Sequence, residues 1–194
     1  MAVKITFVIG GARSGKSSFV LNQAMGIDGP KAYIATAEAL DEEMAERIGQ
    51  HKDDRGTGWD THEETVDISG NLQNLIDRYS VVVLDCLTLW LSNILIRTQS
   101  LPTGQAGTEH RTQTVEDGIK ELTVTLQEVK NGQRTTDDLS RLFIVSNEVG
   151  MGIVPENELA REFRDLAGFL NQKVAEIADE VYMVTAGIPV RIKG

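Results

Sequence analysis

The sequence of 194 residues lacks several features on which whole classes of protein depend. It has a single cysteine, Cys86, so no internal disulfide can form, and a reducing cytoplasm is the expected location. Lys and Arg number 19 against 29 Asp and Glu, and the net charge of −10 argues against a protein that binds nucleic acid by neutralising phosphates. No apolar run approaches the length of a membrane-spanning helix. The apolar residues near the N-terminus end in GGARSGK, which is not the pattern of a signal peptide.

What remains is the composition of an ordinary folded protein, with 41% hydrophobic and 25% charged residues. The length suits one core, so we expect a single domain over 1–194. Apolar strand patterns alternate with helical patterns along the chain. The predicted strands are 4–10, 31–36, 80–86, 141–150 and 180–187, and the predicted helices are 16–25, 38–51, 65–79 and 157–179.

The strand patterns predict an α/β fold with three layers, α/β/α. Continuous apolar strands separated by helices are typical of a mostly parallel sheet that is covered on both faces. Gly187 and Pro189 mark a turn, and residues 188–193 are therefore predicted to return as a short antiparallel edge strand. Segment 97–111, rich in Thr, Gly and Gln, is predicted to be a loop or excursion inside the domain.

Residues 10–17 read GGARSGKS and match the phosphate-binding loop (P-loop) pattern G-x-x-x-x-G-K-[ST]. A glycine-rich turn can fit this pattern by chance, but the strand before it and the helix after it favour a P-loop. In a P-loop, backbone N–H groups and the helix N-terminus bind phosphate oxygens. Lys16 is expected at the β- and γ-phosphates, and the Ser17 hydroxyl at Mg²⁺. The predicted nucleotide contacts of the loop are Gly10, Gly11, Ala12, Arg13, Ser14, Gly15, Lys16 and Ser17.

A second acidic group for the metal is expected at the end of a neighbouring apolar strand. VVVLD places Asp85 there, although a strand-ending aspartate can instead cap the following turn. In an open parallel sheet, ligands bind at the carboxyl ends of the strands. The other polar residues at predicted strand ends are Thr36, Ser146, Asn147 and Thr185, and we expect them to form the rim of the active site.

His51 lies at the end of the acidic helical pattern 38–51 and has two possible roles. Leu40, Met44 and Ile48 recur at helical spacing, and His51 follows Ile48 by three residues, which places it on the same inward-facing stripe. Gly49 weakens the helix at that point. The alternative is a histidine in a frayed helix end, where the helix dipole favours it.

The residues after His51 also allow two interpretations. HKDD resembles the guanine-reading N-K-x-D motif, but that motif belongs at a strand end, whereas this tetrapeptide follows a helical pattern. Lys52 and Arg55 suit phosphate binding, and a solvated run of charges is the alternative. His62 and His110 lack a supporting pattern and are predicted to be surface residues.

Several segments together resemble one enzyme family, the bifunctional adenosylcobinamide kinase/adenosylcobinamide-phosphate guanylyltransferase of cobalamin biosynthesis. The resemblance covers nearly the whole chain except about 97–140. Its most specific parts are the HKDDR and NEVGMGIVPEN segments. The segments are GGARSGKS, YIATAEALDEEMAERIGQHKDDR, W-x-T-x-E at Trp59, Thr61 and Glu63, LDCLTLWLSN, and VSNEVGMGIVPENELAREFRDLAGFLNQKVAEIADEVY.

The resemblance implies an enzyme with two reactions. ATP or GTP phosphorylates the hydroxyl of adenosylcobinamide, and GTP then donates GMP to adenosylcobinamide phosphate through a guanylylated histidine that aligns with His51. Mg²⁺ is the expected cofactor, and the family resembles RecA-like P-loop folds and commonly forms homotrimers. The guanine-nucleotide contacts that carry over, besides the P-loop, are Ala35, Thr36, Ala37, Lys52, Asp53, Asp54, Arg55, Glu63 and Asp85.

The chemistry of GMP transfer gives a histidine a task that a P-loop does not perform. A P-loop with Mg²⁺ positions a γ-phosphoryl group for direct transfer. Transfer of GMP to an anionic acceptor requires attack at the α-phosphorus, which a neutral imidazole can carry out. Two rival functions remain, a small-molecule kinase in which His51 is structural and a nucleotide-dependent switch module.

Overall fold

The computed structural model describes residues 3–39, 41–99, 108–132 and 140–194. The strands in these ranges are β1 (Lys4–Gly10), β2 (Lys31–Ala35), β3 (Asp60–Glu63), β4 (Val81–Asp85), β5 (Arg141–Asn147), β6 (Glu180–Thr185) and β7 (Ile188–Lys193). The helices are α1 (Lys16–Met25), α2 (Glu42–Arg55), α3 (Ile68–Ile76), α4 (Leu87–Gln99), α5 (Thr108–Asn131) and α6 (Glu158–Ile177). Within those ranges, no helix combines the length and apolar character needed to cross a membrane.

The strands form one sheet in the order β3-β2-β4-β5-β1-β6-β7. Every neighbouring pair is parallel except β6 with β7, which is antiparallel. β5 lies between β1 and β4, with Gly10 opposite Asn147 and Asp85 opposite Val145. The carboxyl ends of the parallel strands therefore meet at one edge, where ligands bind in sheets of this kind.

The sheet separates two apolar cores because successive side chains of a strand point to opposite faces. Phe7 packs into the core formed with α3 to α6, which includes Trp90 and Leu170. Val8, the next residue, packs on the other face with Val20 of α1. Strands buried on both faces have to be apolar throughout, which explains the continuous runs in the sequence. The prediction of a mostly parallel α/β/α sheet with an antiparallel C-terminal edge strand is confirmed.

The boundaries of β1, α1 and β7 agree with the sequence predictions. The turn before β7 is formed by Ala186 and Gly187, whose φ angles are 53° and 78°. Pro189 lies inside β7 and not in the turn. The predicted strands 141–150 and 180–187 end earlier, at Asn147 and Thr185.

Two helices have different boundaries from those predicted. The helix predicted over 38–51 is α2, which begins after Asp41, whose carboxylate accepts a hydrogen bond from the Met44 N–H at 2.7 Å. It continues through Gly49 and ends at Arg55, with Gly56 as the capping residue that follows. The helix predicted over 65–79 is the shorter α3, because Asp67 caps its start by accepting from the Gly70 N–H at 3.0 Å.

Three elements were not predicted: β3, α4 and α5. β3 has four residues, DTHE, without an apolar alternation to reveal it. α4 is apolar on most sides because it lies inside the core. The predicted loop 97–111 is wrong at both ends, since α4 continues to Gln99 and α5 begins at Thr108; residues 100–107 between them lie outside the described residues.

Candidate active site

The P-loop connects β1 to α1 and is closely packed against β6. A Cβ atom on Gly10 would lie 2.3 Å from the carbonyl oxygen of Val184, so only glycine allows the two strands to approach as they do. Gly15, with a φ of 95°, precedes the first residue of α1. The turn between β6 and β7 supports the loop, because the Gly187 N–H donates to the Ser14 carbonyl at 2.9 Å.

Lys16 is enclosed by the P-loop and is only 7% exposed. Its Nζ donates to the carbonyl oxygen of Gly11 at 2.7 Å, which holds the amine over the loop. Burial lowers the pKa of Lys16, and the negative charge of Asp85 opposes that shift. A buried amine beside a helix N-terminus is well placed to bind a phosphate, since little water would have to be displaced.

The structure brings Ser17 and Asp85 into direct contact. The Ser17 hydroxyl donates to Oδ2 of Asp85 at 2.7 Å, and the Tyr33 hydroxyl donates to the same oxygen at 2.7 Å. The Asp85 carboxylate is therefore bonded to the P-loop and β2, and the alternative that it caps the following turn is not what the structure shows. A hydroxyl and a carboxylate are oxygen donors of the kind that Mg²⁺ prefers, and Mg²⁺ takes its other ligands from water and phosphates.

A cavity of about 260 Å³ lies between Asp85 and the helix α2. It brings together most of the predicted nucleotide contacts that lie outside the P-loop. Its lining residues are Tyr33, Ala35, Ala37, Ala39, Ile48, His51, Lys52, Arg55, Glu63, Asp85 and Leu89. A larger groove of about 990 Å³ lies between α5 and α6, but none of the predicted site residues lines it. We therefore take the smaller cavity, which adjoins the P-loop carboxylate, as the candidate site.

His51 lies on α2 and opens onto this cavity together with Ile48. Met44 and Ile48 are half-buried on the inner face of the helix, whereas the His51 side chain is exposed. The interpretation of His51 as a frayed helix end is wrong, since α2 continues for four further residues to Arg55. The histidine is thus accessible to a ligand on a helix that is continuous on both sides of it.

Lys52 and Arg55 attach α2 to β3. Lys52 forms an ion pair with Glu63 at 2.7 Å, and Arg55 donates to the Thr61 hydroxyl at 3.0 Å. The hydrogen bond from Lys52 lowers the pKa of the Glu63 carboxyl. Both side chains of the Lys52–Glu63 pair remain largely exposed, at 48% and 66%, so this part of the run is solvated although it is paired. Thr61 and Glu63 lie two residues apart on β3, so both point to the same face of the strand.

Two predicted rim residues are structural parts of the sheet edge. Thr36 is fully buried, donates to the Cys86 carbonyl at 2.8 Å and accepts from the Cys86 N–H at 2.8 Å. Ser146 is also fully buried, and its hydroxyl has no hydrogen-bond partner in the described part of the chain. Asn147 donates to the Thr88 hydroxyl at 2.8 Å, and Thr185 is exposed. The edge is where it was expected, but it offers fewer free polar groups than the sequence indicated.

The other predicted residues have simpler positions. Asp53 is exposed on α2, and the side chain of Asp54 lies outside the described residues. His62 is half-buried and so only partly a surface residue: its ring packs edge-on against Tyr79, with 6.2 Å between the ring centroids, and its Nε2 is enclosed without a hydrogen-bond partner among the described residues. His110 belongs to α5, but its side chain is outside the described residues.

Sequence reasoning missed two residues at the site. Tyr33 links β2 to Asp85, and the side-chain amide of Asn93 donates to the Thr36 carbonyl at 2.8 Å, which fixes the chain where it leaves β2. The signal for Tyr33 is a hydroxyl in the middle of a strand, KAYIA, that ends at the ligand-binding edge. Asn93 lies in LDCLTLWLSN, which carries part of the family resemblance but no pattern that predicts a role for this side chain.

Known proteins are similar in sequence to this chain over nearly its full length. A protein-family model described as "Cobinamide kinase / cobinamide phosphate guanyltransferase" matches residues 6–192. The chain belongs to this family. It is 38% identical over 192 residues to the bifunctional adenosylcobalamin biosynthesis protein CobU of Salmonella typhimurium, with 96% of this chain and 98% of that protein covered. It is 39% identical over 186 residues to CobU of Escherichia coli, with 96% and 98% covered. CobP of Pseudomonas aeruginosa is 36% identical over 190 residues, with 96% of each chain covered.

Solved structures of more distant proteins share the fold. The RadB recombinase superposes with a TM-score of 0.50 at 14% identity, covering 94% of this chain and 74% of its own. An ATPase of a bacterial type III secretion system superposes with a TM-score of 0.53 at 11% identity, covering 95% of this chain and 51% of its own. At these identities the likeness establishes the P-loop NTPase fold, which agrees with the predicted RecA-like architecture.

Proposed function

We infer that this chain is a bifunctional cobinamide kinase and cobinamide-phosphate guanylyltransferase that acts in adenosylcobalamin biosynthesis. The observation that carries this conclusion is the family match over residues 6–192. Bifunctional relatives at 36–39% identity support it, because the alignments cover 96% or more of both chains. The geometry is consistent with two reactions, since a P-loop and an accessible histidine lie on either side of one carboxylate, Asp85.

In the kinase reaction, the P-loop binds the phosphates of the nucleotide. The acceptor hydroxyl oxygen of adenosylcobinamide bonds to the γ-phosphorus of ATP or GTP, the bond to the bridging oxygen breaks, and the nucleoside diphosphate leaves while the hydroxyl proton is released. Lys16 and the loop N–H groups bind the phosphates and stabilise the charge that develops on them. Ser17 and Asp85 would hold Mg²⁺, which offsets phosphate charge when it is bound.

The guanylyltransferase reaction takes place in the cavity beside α2. A neutral ring nitrogen of His51 bonds to the α-phosphorus of GTP, and pyrophosphate leaves. A phosphate oxygen of adenosylcobinamide phosphate then attacks the same phosphorus, the N–P bond breaks, and adenosylcobinamide-GDP forms while His51 is regenerated. Lys52 and Arg55 line the same cavity and supply positive charge for the phosphates, and Glu63 supplies an acceptor.

Three further properties belong to the proposal. The enzyme works with Mg²⁺ in the cytoplasm, where its one thiol, Cys86, stays reduced; in the structure that thiol is buried. The assembly is a homotrimer, by likeness to the family. Its partners are adenosylcobinamide, its phosphate and guanine nucleotide, and its net charge of −10 remains unsuited to nucleic acid.

Product analysis with His51→Ala tests the assignment of the two reactions. The variant should still convert cobinamide to cobinamide phosphate with ATP or GTP, but should form no GDP-cobinamide, because only the second reaction uses the imidazole. Glu46→Ala, at another exposed position of α2 outside the cavity lining, is the matched control and should keep both activities. Equal loss of both reactions in a folded His51→Ala protein would make His51 structural. Steady nucleotide hydrolysis without a corrinoid acceptor would favour the switch function instead.

A further inference from the structure

We propose that Tyr33 is a positioning residue for both reactions, with its hydroxyl orienting Asp85 beside the P-loop and its ring supporting Arg55 beside α2. This inference deepens, and rests on, the function proposed above. Tyr33 lies in the middle of β2, which pairs with β3 on one side and β4 on the other. It is only 5% exposed, and no role had been expected for it from the sequence.

The hydroxyl of Tyr33 fixes the orientation of the Asp85 carboxylate. It donates to Oδ2 at 2.7 Å, the oxygen that also accepts from Ser17 at 2.7 Å. Two donors on one oxygen leave Oδ1 of Asp85 available, since no described residue donates to it. Without this bond, Ser17 alone would orient the carboxylate.

The ring of Tyr33 supports the guanidinium of Arg55. The Cζ atom of Arg55 lies 4.0 Å from the ring centroid, well within the range of a cation–π contact. Trp59 packs edge-on against the same ring at 5.9 Å and limits its movement. Arg55 also donates to Thr61 at 3.0 Å, so its planar group is held from two directions. A pre-oriented guanidinium loses less freedom when it binds a phosphate.

One rigid side chain therefore connects the proposed metal site with the proposed guanylylation site. Tyr33, Asp85, Arg55 and His51 all line the cavity of about 260 Å³. The hydroxyl and the ring of a tyrosine cannot move independently, and β2 is held in the sheet on both sides. The two ends of the side chain can nevertheless be removed separately by substitution, which makes the proposal testable.

Tyr33→Phe removes the hydroxyl and keeps the ring. We expect the Mg²⁺ concentration for half-maximal phosphoryl transfer to rise about tenfold, because a charged hydrogen bond that orients the carboxylate is lost. Saturating Mg²⁺ should restore most of the rate. Tyr33→Leu also removes the ring, and its transfer of GMP to His51 should stay several-fold slower even at saturating Mg²⁺.

A second readout does not depend on turnover. The rise in thermal midpoint that GTP produces is measured with Mg²⁺ and again with EDTA, because a ligand stabilises the state to which it binds. At the Mg²⁺ concentration that gives the wild type half of its maximal response, Tyr33→Phe should lose most of the Mg²⁺-dependent part of that rise and retain the metal-free part. Tyr79→Phe is the matched control, since Tyr79 also donates to a carboxylate, Asp60, at 2.7 Å but lies outside the cavity. It should behave like the wild type.

The outcomes separate this proposal from the function on which it rests. A wild-type protein whose melting temperature shows no Mg²⁺-dependent response to GTP, and on which GTP and Mg²⁺ leave no covalent guanylyl group at His51, would refute the proposed function itself. If the wild type responds and Tyr33→Phe matches Tyr79→Phe, the positioning role is refuted. It is also refuted if Tyr33→Phe loses stability and both activities in proportion, with an unchanged Mg²⁺ requirement. Tyr33→Phe keeps the ring and nearly the whole volume, so the test stands even if Tyr33→Leu does not fold.

Discussion

Substitution of Gly10 by alanine should damage both the fold and the nucleotide site. The added methyl group would lie 2.3 Å from the Val184 carbonyl oxygen and 2.8 Å from the Ser14 hydroxyl oxygen. The hydroxyl can rotate away, but the carbonyl belongs to the backbone of β6, which pairs with β1 at this point. Relief of the contact requires the strands to separate by about 1 Å at the start of the P-loop.

The cost can be estimated from the terms involved. Forced overpacking costs about 1–3 kcal/mol, and one weakened hydrogen bond between the strands costs about 1 kcal/mol. We therefore expect Gly10→Ala to lower the free energy of unfolding by about 3 kcal/mol. For a chain of this size, that loss corresponds to a decrease of about 6–12 °C in melting temperature. The affinity for GTP should fall as well, because the loop N–H groups are displaced. Thermal denaturation and GTP titration measure the two effects.

Gly11→Ala is the control within the same motif. A Cβ atom on Gly11 would meet nothing within 4 Å, so this variant should melt close to the wild-type temperature. Reduced freedom of the unfolded chain should add roughly a few tenths of a kcal/mol of stability. A Gly10→Ala protein that melts within about 2 °C of Gly11→Ala would show that the strand contact does not limit this position.

Two further predictions concern single carboxylates. Asp85→Asn keeps an acceptor for the Ser17 hydroxyl but loses the metal-binding charge, so phosphoryl transfer should fall on the order of 100-fold with little change in melting temperature. Glu180 pairs with Lys4 at 2.8 Å and Arg191 at 3.1 Å, and the hydrogen bond from Lys4 lowers the pKa of its carboxyl. Glu180→Gln should therefore cost about 1–2 kcal/mol at pH 7, measured by denaturant titration. This difference from the wild type should begin to shrink as the pH falls below about 4.5, the ordinary pKa of the carboxyl, and should disappear only below its lowered pKa in the folded protein.

The P-loop half of the site could be predicted from the sequence because its determinants are local. A buried strand, a glycine motif and a helix follow one another within residues 4–25, and all three lie where the pattern placed them. The carboxylate that we propose as a ligand of Mg²⁺ can also be located from the sequence, since Asp85 directly ends an apolar strand. No knowledge of distant contacts was needed for either.

The α2 half depends on contacts between residues that are distant in the sequence. Gly49 led us to expect a helix that weakens before His51, but α2 continues because Lys52 and Arg55 bond to β3. β3 in turn has no apolar pattern and is recognisable only from its pairing with β2. Local propensity was overridden by tertiary contacts on both elements.

The link through Tyr33 could not be predicted for a topological reason. Tyr33 and Asp85 are separated by a helix, a strand and another helix, and they meet because β2 pairs with β4 and not only with β3. Sequence patterns establish which segments are strands, but they do not specify the order of the strands in the sheet. The contact therefore emerges only from the three-dimensional structure.

The most direct test of the proposed function is the detection of a covalent guanylyl group on the protein. Wild-type protein is incubated with Mg²⁺ and GTP that is labelled at the α-phosphate, without an acceptor, and the denatured protein is then counted. We predict a label that is labile in acid and stable in alkali, as expected for a bond between phosphorus and a histidine nitrogen. The label should be absent from His51→Ala and present in Glu46→Ala. A wild-type protein without label, or a His51→Ala protein that is labelled to the same extent, would contradict the assignment of His51 as the nucleophile.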